Sequence, residues 1–225
     1  MISPTDLRPV PFWSPAEIDA AIPRAIAHVQ NGGLLAYPTE TIYGFGGAIE
    51  TDAVASLVTL KNRPLGKPFL LLVSSSAMIR RLGLHMTNAA SSLAARFWPG
   101  PLTLVLRGAE HRVPARLRGP EGGVAVRWTS HPALQRLIAS LGDPLTSTSA
   151  NRPRQPAALA ASEVITSFPM EIASGRVMVL DGGRLEPSEP STVVDCTGSH
   201  LRVIRPGALS AATLRSVVPT LVGDQ

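Results

Sequence analysis

Apolar residues recur at helical spacing near the beginning of the chain. The pattern predicts a helix that begins after Ser14 and ends at residues 31–33, which read Asn-Gly-Gly. Ser14 can cap its N-terminus, and Pro15 suits its first turn. Pro23 lies inside the pattern, so we expect it to kink or split the helix. The apolar positions on the inner face are Ile18, Ala21, Ile22, Ala25, Ile26 and Val29.

Apolar runs of strand length follow this helix. A buried strand is predicted at Leu34 to Tyr37, then an irregular loop from Pro38 to Gly47 and a helix that begins at Thr51. Further strands are predicted at Phe69 to Val73, Thr103 to Leu106, Val124 to Arg127, Leu145 to Ser147, Val177 to Leu180, Thr192 to Asp195 and Arg202 to Arg205. Helices are predicted at Ser76 to Leu82, Asn88 to Phe97, Pro132 to Ser140 and about Ala158 to Ser167, with a short helix and tail from Ser210.

The connections between these elements indicate the fold class. Some strands are joined by helices, and others by segments too short for a parallel crossover. We therefore predict an α/β or α+β fold with a mixed, twisted sheet. At 225 residues and 44% hydrophobic content, we expect one domain over residues 1–225, with its core at about 14–210.

The cysteine content and the first residues of the chain indicate the cellular compartment. The single cysteine, Cys196, cannot form an internal disulfide, which fits a reducing compartment. The first residues contain no apolar run like a signal peptide or a membrane span. We expect a soluble, cytoplasmic protein without a membrane partner.

The charge balance favours an anionic partner. The net charge is +5, and nineteen of the 21 basic residues are arginine. The two lysines, Lys61 and Lys67, lie in one seven-residue segment. A compact ammonium that reaches a phosphate is not easily replaced by a planar guanidinium, so this segment is a candidate phosphate site.

Several common sites are excluded. Pro68 follows Lys67 where a Walker loop needs Ser or Thr, and the glycines around Gly44 lack the last glycine of a dinucleotide fingerprint. The five histidines are dispersed, and no nucleophile elbow is present. Neither a hydrolase triad nor a protein-held metal site is therefore predicted.

Five polar stretches remain beside predicted strand ends, where sites in open sheets usually lie. They are residues 38–44, 61–68, 124–127, 147–151, and 191–195 with 205–207. Their cations and hydroxyls suit phosphate and carboxylate binding, and catalysis by positioning and charge neutralisation needs no nucleophile. Singly, each stretch also has a structural explanation: Arg127 can end a surface strand, and Thr39 and the hydroxyls after residue 146 can cap turns. The arginines between residues 107 and 118 are more often a solvated loop than a binding patch.

Taken in order, the motifs resemble those of the YrdC-like threonylcarbamoyl-AMP synthase family from about Gly33 to Ser210. The motifs are Tyr37-Pro38-Thr39-Glu40-Thr41 with Tyr43-Gly44, Lys61-x-Arg63-Pro64 with Lys67-Pro68, Trp98-Pro99-Gly100-Pro101-Leu102-Thr103, Val124-Ala125-Val126-Arg127 with His131-Pro132, Ser149-Ala150-Asn151, Asp181-Gly182-Gly183, Ser191-Thr192-Val193-Val194-Asp195 and Arg205-Pro206-Gly207. The resemblance implies a twisted sheet flanked by helices, with a basic concave cleft.

The resemblance also implies an activity: L-threonine, bicarbonate and ATP give threonylcarbamoyl-AMP and pyrophosphate, for the threonylcarbamoyl-adenosine of tRNA. It implies ATP as substrate, magnesium as its companion, and tRNA or a tRNA threonylcarbamoyl-transferase complex as a candidate partner. The residues implied for threonine are Thr39, Arg127, Ser147 and Ser191. Those implied for ATP are Lys61, Arg63, Lys67, Ser149, Asn151 and Arg205, of which Lys61, Arg63 and Lys67 are the candidate catalytic residues.

The sequence departs from the family pattern in two loops. Residues 152–156 read Arg-Pro-Arg-Gln-Pro where many relatives have Ser-Gly, and residues 187–190 lack a glycine usual before Ser191. The second domain of longer family members is not expected. Two alternatives stay open: a relative that forms another carbamoyl-adenylate, and a non-catalytic module that binds tRNA or double-stranded RNA.

Overall fold

The structure is a computed structural model that describes residues 8–63 and 67–223. Its helices are α1 (Pro15–Gln30), α2 (Thr51–Lys61), α3 (Ser76–Arg81), α4 (Asn88–Phe97), α5 (Pro132–Leu141), α6 (Ala161–Ser167), α7 (Pro169–Ala173) and α8 (Ala211–Arg215), with a 3-10 turn at Ala115–Leu117. Its strands are β1 (Val10–Pro11), β2 (Leu34–Pro38), β3 (Tyr43–Gly46), β4 (Leu70–Val73), β5 (Leu84–His85), β6 (Leu102–Gly108), β7 (Val124–Trp128), β8 (Leu145–Ser149), β9 (Val177–Asp181), β10 (Thr192–Asp195) and β11 (Arg202–Arg205).

Helix α1 shows how local signals define one element. The Ser14 side chain accepts a hydrogen bond from the Glu17 amide, and the Glu17 carboxylate accepts one from the Ser14 amide at 2.8 Å. This reciprocal capping box satisfies backbone groups that the first turn cannot satisfy. The expectation that Pro23 splits the helix is wrong, because α1 continues through it to Gln30.

The strands form one mixed sheet in the order β1-β9-β2-β3-β8-β4-β7-β6-β10-β11, and β5 pairs with β6. The sheet combines parallel pairs (β1–β9, β2–β9, β4–β7, β6–β10) with antiparallel ones (β2–β3, β3–β8, β4–β8, β6–β7, β10–β11). The predicted mixed sheet flanked by helices is therefore confirmed. The order brings residues that are far apart in sequence onto neighbouring strands.

The region predicted as an irregular loop, 38–47, contains strand β3 at Tyr43–Gly46. The prediction was wrong because two of its four residues are glycine, which strand patterns disfavour. The glycines are required by close approach: a Cβ on Gly46 would lie 1.7 Å from the Thr146 carbonyl oxygen. The short strands β1 and β5 were not predicted either, and helix α6 begins at Ala161, not near Ala158.

Candidate functional site

An open cavity of about 300 Å³, here called the first cavity, lies on the sheet between the turn that follows β2 and strand β11, and residues of β3, β4, β6, β7, β8 and β10 also line it. The polar side chains in its wall come from widely separated parts of the chain. They are Thr39, Thr41, Arg63, Thr103, Arg127, Ser147, Thr148, Ser149, Ser191 and Arg205. Of the residues expected to bind substrates, the first cavity gathers Thr39, Arg63, Arg127, Ser147, Ser149, Ser191 and Arg205.

The turn between β2 and β3 is organised by the Thr39 hydroxyl. The hydroxyl donates to the Ile42 carbonyl oxygen at 2.7 Å and accepts from the amides of Thr41 and Ile42 at 3.1 and 3.2 Å. The side chain is buried, so these bonds fix it at the wall of the cavity. Thr39 therefore caps the turn and lines the site at once.

Arg127 lies on β7 and forms a buried ion pair with Glu40. Its Nη2 atom is 2.7 Å from Glu40 Oε1, and the two side chains are only 6% and 16% exposed. No acceptor in the described part of the chain is aligned with the N–H bonds of this nitrogen, so the contact is ionic and not a formed hydrogen bond. The Nε atom donates to the Gly100 carbonyl oxygen at 3.3 Å.

Glu40 is itself anchored on the segment that follows β7. Thr129 Oγ1 donates to its Oε2 atom at 2.6 Å, and the Ser130 amide donates to Oε1 at 3.1 Å. Burial alone raises the pKa of this carboxyl, but the Arg127 charge and these hydrogen bonds outweigh burial and leave the pKa below its usual value. Glu40 therefore carries a negative charge at neutral pH, and it holds the Arg127 head in place.

Ser191 and Arg205 form the opposite wall, beside β10 and β11. The buried Ser191 hydroxyl is 2.9 Å from Thr103 Oγ1, and Arg205 Nη2 donates to the carbonyl oxygen and hydroxyl of Ser191 at 2.8 and 3.0 Å. Burial of part of the side chain, and then the Arg127 charge, lower the pKa of Arg205. The guanidinium stays charged, since arginine cannot be deprotonated in proteins at physiological pH.

Lys61 lies behind the cavity wall at the end of α2. Its ammonium donates to the Ser149 carbonyl oxygen at 2.8 Å and to the carbonyl oxygen and Oδ1 of Asn151 at 2.5 and 2.7 Å. Burial, followed by the charges of Arg63 and Arg152, lowers the pKa of Lys61 to about 8. Because Ser149 Oγ also donates to Asn151 Oδ1, at 2.6 Å, Lys61 fixes the conformation of the β8 end.

Arg63 marks the boundary with a second cavity of about 360 Å³. Its Nε and Nη2 atoms each donate at 2.7 Å, to the carbonyl oxygens of Lys67 and Pro68, and its guanidinium stacks over Phe69 at 4.6 Å. Burial lowers the pKa of Arg63. Lys67 is exposed and lines the second cavity, not the first. Pro64, from the same sequence motif, lies outside the described residues.

Sequence reasoning missed three parts of this site. It did not single out Glu40 as the partner of Arg127, nor Thr103 and Thr148 in the first cavity. It also favoured a solvated loop for residues 107–118, whereas Arg116 and Arg118 line the second cavity. The number of arginines in residues 107–118 could have suggested that this loop lines a cavity. The roles of Glu40, Thr103 and Thr148 depend on contacts between distant strands.

The loop at residues 152–156, which differs from the family pattern, is held against the neighbouring helices by Arg152. Arg152 stacks over Phe168 at 4.1 Å and donates to the Glu171 carboxylate at 3.0 Å.

Within residues 8–63 and 67–223 no group of three or more Asp, Glu, His or Cys side chains is arranged to hold a metal ion. None of the helices described there is both long and apolar enough to cross a membrane.

Comparisons with known proteins agree on one group. A family model, Sua5/YciO/YrdC, described as "Telomere recombination", matches residues 27–207. A threonylcarbamoyl-AMP synthase of Pyrococcus abyssi is 34% identical over 86% of this chain, which spans only 56% of that relative. A threonylcarbamoyl-AMP synthase of Marinobacter nauticus is 35% identical, with 84% of this chain and 97% of the relative covered. The crystal structure of P. abyssi Sua5 complexed with L-threonine superposes with a TM-score of 0.85 at 30% identity, covering 96% of this chain and 62% of that one.

Proposed function

Because the chain belongs to the Sua5/YciO/YrdC family, we propose that it is an L-threonylcarbamoyladenylate synthase. It converts L-threonine, bicarbonate and ATP into threonylcarbamoyl-AMP and pyrophosphate, the first step of threonylcarbamoyl-adenosine formation in tRNA. The main support is the first cavity, in which a buried arginine and several hydroxyls adjoin further cations. Tight, oriented binding of a small amino acid beside a polyphosphate requires this combination.

Threonine binds in the first cavity in this proposal. Its carboxylate meets the guanidinium of Arg127, which lines the cavity. The hydroxyls of Ser147 and Ser191 bind its polar atoms, and Thr39 forms the wall beside them. The ion pair with Glu40 keeps Arg127 ready for this contact, because a fixed guanidinium loses little conformational freedom when it binds.

ATP binds with its α-phosphate near Arg63 and Ser149, and Arg205 faces it from the opposite wall of the cavity. Lys67 lies beyond Arg63 and contacts phosphate oxygens. Lys61 acts through Ser149 and Asn151, whose positions its ammonium fixes. The proposed ATP site is therefore cationic on one side and held rigid from behind.

The reaction then needs positioning and charge neutralisation. The threonine amine attacks carbon dioxide and loses a proton, or attacks bicarbonate with loss of water, and either route gives a carbamate. A carbamate oxygen then attacks the α-phosphorus. The bond to the β-phosphate oxygen breaks, and pyrophosphate leaves with the electron pair. Arg63 and Lys67 neutralise the charge that develops on the phosphates.

Magnesium enters the proposal as a companion of ATP. The described residues that line the first cavity include no carboxylate, the ligand that magnesium prefers in proteins. They do not form a magnesium site of their own.

The test is product formation by the purified protein. We expect pyrophosphate release and a threonylcarbamoyl-AMP mass only when threonine, bicarbonate and ATP are all present. Arg127→Gln should raise the threonine KM by about tenfold or more, since it removes a charge-assisted interaction. Pyrophosphate release that ignores threonine contradicts the proposal, and release that requires carbamoyl phosphate points to the carbamoyl-adenylate alternative.

The RNA-binding alternative is separated by two further variants. We expect Arg63→Ala and Lys67→Ala to weaken ATP binding. If both variants bound ATP normally and lost affinity for tRNA, the basic residues would serve RNA and the proposal would be wrong.

A further inference from the structure

The second cavity adjoins the first, and the two share part of their wall. Arg63 and Pro68 line both cavities. The outer wall of the second cavity comes from the 3-10 turn and the residues after it, with Arg116, Arg118 and Pro120. A ligand that passes Arg63 can therefore extend from one cavity into the other.

Cations dominate the polar lining of the second cavity. Arg63, Lys67, Arg116 and Arg118 all line it, and no acidic residue appears among its described lining residues. None of the four takes part in an ion pair within residues 8–63 and 67–223. The buried Nε atom of Arg118 also lacks a hydrogen-bond partner there. Like charges without counter-charges, close to an unsatisfied donor, favour an anionic ligand.

The geometry of phosphoryl transfer indicates which anion the second cavity would bind. In phosphoryl transfer the attacking and leaving oxygens lie roughly in line on opposite sides of the phosphorus. With threonine in the first cavity and the α-phosphate near Arg63, the leaving group lies on the far side of Arg63, away from threonine. The second cavity occupies that side.

We propose that Arg116 and Arg118, together with Lys67, bind the β- and γ-phosphates of ATP and hold pyrophosphate as it leaves. The apolar side chains of Val58, Phe69 and Pro120 in the same wall limit access of water and so strengthen the electrostatic attraction. The inference rests on the proposed function and adds two residues that the family motifs in this sequence do not include.

The test measures the binding of pyrophosphate, ATP and AMP by titration calorimetry. We expect the double variant Arg116→Gln/Arg118→Gln to bind pyrophosphate and ATP at least about tenfold more weakly, as expected for lost charge-assisted hydrogen bonds. AMP, which lacks the two outer phosphates, should bind as before. The matched control is Arg80→Gln/Arg96→Gln, which removes the same charge from exposed residues of α3 and α4.

Each other outcome overturns the inference. Equal losses for AMP and ATP would place the nucleoside in the second cavity, and unchanged pyrophosphate binding with weaker tRNA binding would make the loop an RNA contact. Since Arg118 is partly buried, Arg116→Gln alone serves if the double variant fails to fold, because Arg116 is exposed. Threonine-dependent product formation by the unmodified protein tests the proposed function separately, so the two can fail independently.

Discussion

The ion pair between Glu40 and Arg127 yields the sharpest prediction about stability. Glu40→Gln removes the negative charge and keeps a side chain of nearly the same shape. The amide oxygen of the substituted side chain can still accept from the Ser130 amide or the Thr129 hydroxyl, so the main loss is the charge opposite Arg127. The guanidinium is left buried without its counter-ion.

The structure supports a large effect. The two side chains are 6% and 16% exposed, so water screens the pair weakly. Removal of one partner from such a buried pair costs about 3–5 kcal/mol, because the remaining charge is uncompensated. A domain of this size is stabilised by roughly 5–15 kcal/mol, so we expect the variant to fold with much of its stability lost.

Urea denaturation followed by circular dichroism at pH 7 measures the difference. Glu110→Gln is the control, because Glu110 is exposed and forms no ion pair in the described part of the chain. Saturating threonine should stabilise Glu40→Gln more than the unmodified protein, since its carboxylate would supply the missing charge. A loss below about 1 kcal/mol, the range of exposed pairs, would refute the reasoning.

The pH dependence gives a second check on the same pair. The folded pKa of Glu40 is below its usual value of 4.5, so its charge stabilises the folded state above about pH 4.5. This contribution is lost as the pH falls through the folded pKa. The stability difference between the unmodified protein and Glu40→Gln should therefore shrink in acid, and a difference that stayed constant to about pH 3 would contradict the assignment.

Three further predictions concern other parts of the site. The pKa of Lys61 is about 8, and its charged form holds Ser149 and Asn151. ATP affinity should therefore be constant below that pH and fall by up to about tenfold per pH unit above it. Lys61→Met should bind ATP more weakly and without this pH dependence, as calorimetry between about pH 6.5 and about pH 9.5 would show. Gly46→Ala should abolish soluble expression because of the clash with β8, whereas Gly198→Ala, where the nearest atom would be 3.7 Å away, should express normally. Ser191→Ala should raise the threonine KM by about tenfold with little change in the ATP KM in steady-state assays, because the hydroxyl is proposed to contact threonine and Arg205 keeps its hydrogen bond to the Ser191 carbonyl oxygen.

The parts of the fold that local chemistry determines were predicted from the sequence. The cap that Ser14 provides to α1 and the buried strand before Pro38 follow from residues close together in the sequence. Strand β3 was missed because its glycines are explained by β8, which lies about a hundred residues further along the chain. Pro23 was judged by its usual effect on a helix, but packing of α1 against the sheet and α5 keeps the helix continuous.

The candidate site also combines features that local sequence predicts with features that depend on distant contacts. Residue types and spacing indicated a phosphate- and carboxylate-binding cleft, and seven of the expected residues line one cavity. Spacing could not indicate that Lys61 has its N–H groups bound to Ser149 and Asn151, or that Glu40 faces Arg127. Those relations depend on the strand order, in which β8 lies between β3 and β4.

The strand order also has a kinetic consequence. The first cavity is completed by side chains between Thr39 and Arg205, and its strands pair across most of the chain, as β2 does with β9 and β6 with β10. Contacts of such large sequence separation form slowly, because much chain entropy is lost before they give any stabilisation. Ligand binding at this cavity should therefore appear only in the last phase of refolding, and threonine added to a refolding reaction would report completion of the whole sheet.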